Sequence, residues 1–155
     1  MLKTKYVLTT AILAITLTLA AAVSNTALAA GRFALVIGNS NYSFAPLRNP
    51  TQDAALMAAT LRVLGFDVAE YLDVPQRDLK RAVVDFGRKL EQAGKDAVGL
   101  VYYAGHGVQV HGENYLIPIG ANIRDELDVD IEGVRASIIL SALERAGNNL
   151  NIVIL

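Results

Sequence analysis

The sequence predicts an α/β domain: a mostly parallel sheet with helices on both faces. Three observations carry this. Short runs that are almost wholly apolar, at 33–37, 98–103 and 151–155, alternate with stretches of helical periodicity. Runs that are apolar throughout suit strands covered on both faces. Strands separated by helices pair in parallel through right-handed crossovers.

The first 30 residues are of another kind. Lys3 and Lys5 make a positive start, an apolar stretch covers 7–23, and Ala27-Leu28-Ala29 follows. This is the pattern of a secretory signal peptide over residues 1–29, cleaved after Ala29. The rival reading, an uncleaved anchor, fits less well, because Thr9, Thr10, Thr16 and Thr18 interrupt the run. The expected product is exported, periplasmic or secreted, with no membrane attachment after cleavage. One domain over 31–155 remains, with 12 basic and 15 acidic side chains, a net charge of −3. That balance argues against nucleic-acid binding. With no cysteine in the chain, disulfides are excluded and the fold rests on its core.

Residues 33–37 are the first buried strand, followed by an Asn-, Ser- and Gly-rich loop to Leu47. Asn49-Pro50-Thr51-Gln52 is a helix start: an Asn cap, Pro at the first helical position, Gln placed for a capping box. Ala54, Met57, Leu61 and Leu64 then share a face, and Gly65 ends the helix. Residues 67–71 are a short strand. Pro75 opens a second helix, with Leu79, Val83, Phe86 and Leu90 at helical spacing and Gly94 as its stop. Residues 96–103 are the third strand. Residues 108–118 read as a hairpin with His111-Gly112 at its turn. Residues 123–130 read as an acidic, solvated stretch. Ser137–Ala146 is a third helix, stopped by Gly147, and 151–155 is a fourth buried strand.

The chemistry gathers in Tyr102-Tyr103-Ala104-Gly105-His106-Gly107. In open α/β sheets, functional groups sit outside the carboxyl ends of the strands. His106 falls just past such an end, between two glycines that free the backbone. An imidazole can take and return a proton near neutrality, but it needs a nucleophile within reach. The N–H of Gly107 is unshielded and could serve an oxyanion. An arbitrary histidine more often only ties down a loop; the strand, the flanking glycines and the sheet edge together favour catalysis here. His111 reads as solvated, and two histidines five apart make a poor zinc site.

Three stretches together resemble the caspase-like clan of cysteine peptidases, particularly its bacterial and metacaspase-type branch. They are Phe33-Ala34-Leu35-Val36-Ile37-Gly38-Asn39 with Asn41-Tyr42, then Leu47-Arg48-Asn49-Pro50-Thr51-Gln52-Asp53-Ala54, then Tyr102 to Gly107. The resemblance implies a three-layer caspase-like sandwich and a Cys-His endopeptidase acting on peptide or protein substrates. It implies that His106 is the general base and acid and that Gly107 helps bind the oxyanion. The cysteine is implied about 50 residues past the histidine, at or just beyond Leu155, so the p20-type domain is expected to be cut off before its nucleophile.

The resemblance also places Asp53 in the pocket for the residue before the scissile bond, favouring Arg or Lys. Asp53 has an equally good local reading, as a carboxylate stabilised by the first turn of a helix at about 0.3–1 kcal/mol. Two departures stand out: Ala104 where the family often has Ser, and Pro50 where metacaspases often have Cys.

No cofactor is expected. Calcium dependence of some relatives is a weak option, since Asp125, Glu126, Asp128 and Asp130 lack the Gly-anchored spacing of a calcium loop. Two competing readings are a non-catalytic pseudoprotease that binds peptides or partners, and a flavodoxin-like phosphate or small-molecule module using the loop 38–43. The last lacks any Gly-x-Gly-x-x-Gly or Walker pattern.

Overall fold

The computed structural model describes residues 31–155. The leader expected over 1–29 lies outside the described residues. No helix among the described residues is long and apolar enough to cross a membrane.

The elements, in chain order, are β1 (Arg32–Gly38), α1 (Pro50–Val63), β2 (Asp67–Leu72), α2 (Gln76–Ala93), β3 (Val98–Ala104), β4 (Gly107–Val110), β5 (Glu113–Leu116), α3 (Glu126–Glu132), β6 (Val134–Arg135), α4 (Ser137–Ala146) and β7 (Leu150–Ile154). The four long strands make one all-parallel sheet in the order β2-β1-β3-β7. β4, β5 and β6 form a small antiparallel sheet beside it.

Side-chain alternation along β1 builds the three layers. Ala34 and Val36 face one way and meet Ala54, Ala58 and Leu61 of α1, together with Leu100 of β3. Leu35 and Ile37 face the other way, into Leu79, Val83, Phe86 and Leu90 of α2 and Ile139 and Leu143 of α4. The four β1 residues are almost wholly buried, as an all-apolar strand in the middle of a sheet must be. Each such Leu or Ile contributes about 1.5–3 kcal/mol. The α/β architecture with helices on both faces is therefore as the sequence implies.

Several local expectations are corrected. Asn49 does not cap α1 with its side chain: its own backbone is already helical, at φ −107° and ψ −26°. The cap comes from Ser40 on the preceding loop, whose hydroxyl accepts the Thr51 N–H at 3.0 Å. Leu64 leaves the buried face and is exposed, because α1 ends at Val63. β3 begins at Val98, since residues 94–97 form a turn in which the Ala97 N–H donates to Gly94 O. The hairpin is present, with His111 and Gly112 both at positive φ, 50° and 82°, as a tight two-residue turn requires.

The acidic stretch is more than a solvated face. Asp125 caps α3 by accepting from the N–H groups of Leu127 and Asp128. Val129 of α3 is buried. Asp130 accepts from the Tyr115 hydroxyl and pairs with Arg135 at 2.8 Å. Those two donors, the tyrosine first, hold the Asp130 carboxyl below its ordinary value.

Among the described residues β7 lies at an edge of the sheet, and it is not buried. Ile152 and Ile154 pair in register with Leu100 and Tyr102 of β3, and so share the α1 side of the sheet. α1 packs on β1, β2 and β3, leaving Ile152 39% and Ile154 40% exposed. Val153, on the opposite side, joins the core under α2 and α4.

The chain runs from β1 to β2 on one flank, then crosses to β3 on the other. The order thus reverses between β1 and β3, where loops diverge and leave a crevice at the carboxyl ends. The loop after β1 and the turn after β3 meet there. Gly38 lets this happen: a Cβ would lie 2.5 Å from Pro50 O and 2.6 Å from Ala54 Cβ, so α1 starts directly against the end of β1.

Candidate active site

His106 follows β3 by two residues and is half-buried. Its backbone is gripped on both sides. The N–H donates to the Tyr42 hydroxyl at 3.0 Å. The carbonyl accepts from Ile117 N–H at 2.9 Å and lies 2.9 Å from the Tyr103 hydroxyl. The ring is held as well: Nε2 lies 2.7 Å from Ala45 O. The Tyr42 ring sits 4.5 Å away, tilted by 55°, and Phe44 stacks at 5.5 Å with 27° between planes.

The Ala45 contact assigns the protons. A carbonyl oxygen can only accept, so Nε2 must carry hydrogen. In the neutral ring Nδ1 is then the nitrogen with a free lone pair, and it has no hydrogen-bond partner among the described residues. The imidazole is thus held by one backbone carbonyl and two aromatic rings, with one ring nitrogen left over.

Gly107 is exposed at the start of β4. It lines a cleft of about 380 Å³ with Val108, Leu116 and Leu155. The residue after β7 thus meets the residue after the histidine across one cleft. Asp53 is exposed in the first turn of α1, its N–H bonded to Asn49 O. It has no ion-pair partner among the described residues. It lies in the turn of α1 that starts directly against the carboxyl end of β1. Asp53 and His106 thus share a rim of the sheet, but no hydrogen bond joins them among the described residues. His111 is exposed at the hairpin tip. Ser137 and Ser141 line a separate cleft with Lys80 and Arg135, on the α2 and α4 side of the sheet.

Four residues beneath the site have roles that the sequence did not assign. Asn39 is fully buried; its Oδ1 accepts Val74 N–H at 3.0 Å and its Nδ2 donates to Ile117 O at 3.4 Å. Asp73 accepts Ser40 N–H at 2.7 Å and Asn41 N–H at 3.0 Å. It stands at φ 52°, a left-handed conformation that Asp tolerates better than most. Tyr42 and Tyr103 are buried with their hydroxyls 3.3 Å apart. Burial pushes both phenols above the usual tyrosine value. The polar run Asn39-Ser40-Asn41-Tyr42 behind an apolar strand was a signal for a loop tied by side chains. Asp73 carried none.

Comparison with known proteins agrees with this architecture. The family model described as "Caspase domain" matches residues 31–148. Over 95 residues, 61% of this chain, the sequence is 38% identical to human mucosa-associated lymphoid tissue lymphoma translocation protein 1. It is 37% identical over the same length to the mouse homologue. The match spans 11% of the length of each of these relatives. The solved structure of protein GSU0716 from Geobacter sulfurreducens superposes with a TM-score of 0.61 at 19% identity, over 79% of this chain and 48% of that one. At that identity the likeness concerns the fold. The family match over three quarters of the sequence, on a sheet of the corresponding architecture, makes this chain a member of the caspase-domain peptidase family.

Proposed function

We infer that this domain serves a cysteine endopeptidase in which His106 is the general base and acid. The observation that carries the reading is the 2.7 Å contact from His106 Nε2 to Ala45 O, which leaves Nδ1 without a partner among the described residues, on a ring two residues past the end of β3. In the reaction Nδ1 takes the proton of a thiol and the thiolate attacks the scissile carbonyl. The Gly107 N–H donates to the developing oxyanion. The imidazolium returns its proton to the leaving amine, and water then releases the acyl group with the imidazole again as base.

The 155 residues contain no cysteine, so in this reading the thiol comes from a residue outside this sequence, past the end of β7. Support for that position is the cleft shared by Gly107 and Leu155. Asp53, exposed and without an ion-pair partner among the described residues, supplies the charge for an Arg or Lys side chain before the scissile bond. The N-terminal pattern supports export, to the periplasm or beyond. The missing cysteine also favours a second reading, a peptide-binding relative without turnover.

Fluorogenic peptides ending in Arg, Lys or Asp separate these. The 155-residue chain is expected to cleave none. A longer gene product that includes a cysteine past β7 is expected to cleave after Arg or Lys, with His106→Ala lowering kcat about 10²–10⁴-fold. A cysteine-containing product that binds these peptides without cleaving them would establish the second reading.

A further inference from the structure

One loop holds the His106 imidazole from several sides. Residues 40–47 leave the end of β1 and fold back on themselves, with Leu47 N–H donating to Ser40 O at 2.9 Å. Asp73 pins the start of the loop through the N–H groups of Ser40 and Asn41. The loop then presents Tyr42, Phe44 and the Ala45 carbonyl to the imidazole in turn.

Tyr42 is bonded beyond what burial alone would require. A buried phenol is satisfied once its hydrogen finds an acceptor, and Ile117 O at 2.9 Å provides one. The Tyr42 oxygen also accepts the His106 N–H. Space is reserved for this contact: a Cβ on Gly105 would lie 2.6 Å from the hydroxyls of both Tyr42 and Tyr103.

We propose that Tyr42 is a positioning residue for His106. Its hydroxyl fixes the histidine backbone, and the loop it anchors seats the Ala45 carbonyl on Nε2, so that Nδ1 is the nitrogen left to take a proton. The proposal rests on the peptidase reading of His106, but the geometry it concerns is measurable without turnover.

Tyr42→Phe keeps the ring and removes the hydroxyl. In the 15N-labelled 155-residue chain, exchange of the His106 Nε2–H with water is expected to rise about tenfold or more, because a loop without its Tyr42 anchor no longer holds Ala45 O on Nε2, and one hydrogen bond is worth about that factor. In a longer, cysteine-containing product, kcat is expected to fall by about the same factor with KM unchanged. A folded Tyr42→Phe variant with wild-type Nε2–H exchange overturns the proposal. If exchange rises as expected while the longer product is inert, the peptidase reading fails and the positioning role stands.

Should Tyr42→Phe not fold, Phe44→Leu decides. It removes the stacked ring and leaves the hydroxyl and carbonyl contacts, so Nε2–H exchange should stay at the wild-type rate. A rise of about tenfold there would show that stacking, not the Tyr42 hydroxyl, places the imidazole.

Discussion

Tyr103 shows how a single side chain can be both core and scaffold. It lies on β3 with its ring in the main core and its hydroxyl 2.9 Å from the carbonyls of His106 and Ile117. Burial raises its pKa above the ordinary 10, so the folded protein keeps a proton that the unfolded chain gives up first. The stability linked to that proton is complete below about pH 10 and drains away as pH climbs toward the folded value. The urea midpoint should therefore hold steady up to about pH 10 and fall above it, with a shallower fall in Tyr103→Phe. Equal slopes in the two proteins would remove Tyr103 as the cause. The position of His106 was legible, because an apolar run that ends in Gly-His-Gly puts the histidine just past the carboxyl end of a buried strand. Tyr42 and Asp73 were not, because their roles depend on partners 64 and 32–33 residues away.

Among the elements, α1 and α2 contrast. α2 sorts Leu79, Val83, Phe86 and Leu90 inward and its charges outward, so its periodicity alone located it. α1 also carries apolar residues outside its buried face, with Leu56 and Val63 exposed, so its Pro50 start was needed beside the periodicity. Its capping residue was misjudged because the capping group arrives from another segment, which no local pattern encodes. Ser40→Ala should cost about 1 kcal/mol in chemical denaturation, the usual value of a lost helix cap, whereas Asn49→Ala should cost much less. The reverse order would return the cap to Asn49. α3 and β6 were missed for a simpler reason: seven and two residues are too few to show a period.

For the molecule as a whole, the sheet is asymmetric. Its interior strand β1 is buried on both faces, while β7 at one edge leaves Leu150, Ile152 and Ile154 open to solvent. Apolar character alone suggested a buried strand there, because composition does not reveal that α1, among the described residues, packs on β1, β2 and β3 and stops short of β7. An apolar edge with free backbone groups invites pairing with another chain. The 155-residue chain should accordingly self-associate as concentration rises, and Ile152→Lys should suppress this in sedimentation velocity. A wild-type chain that stays monomeric throughout would show that the edge is protected.

Only Gly105 and His106 separate the parallel sheet from the antiparallel hairpin, since β3 ends at Ala104 and β4 begins at Gly107. Adding a residue at that seam would flip the histidine or shear one ladder against the other. Length variation in natural or designed variants should therefore be accommodated at the His111–Gly112 tip, and an insertion scan should find 104–107 intolerant even to glycine.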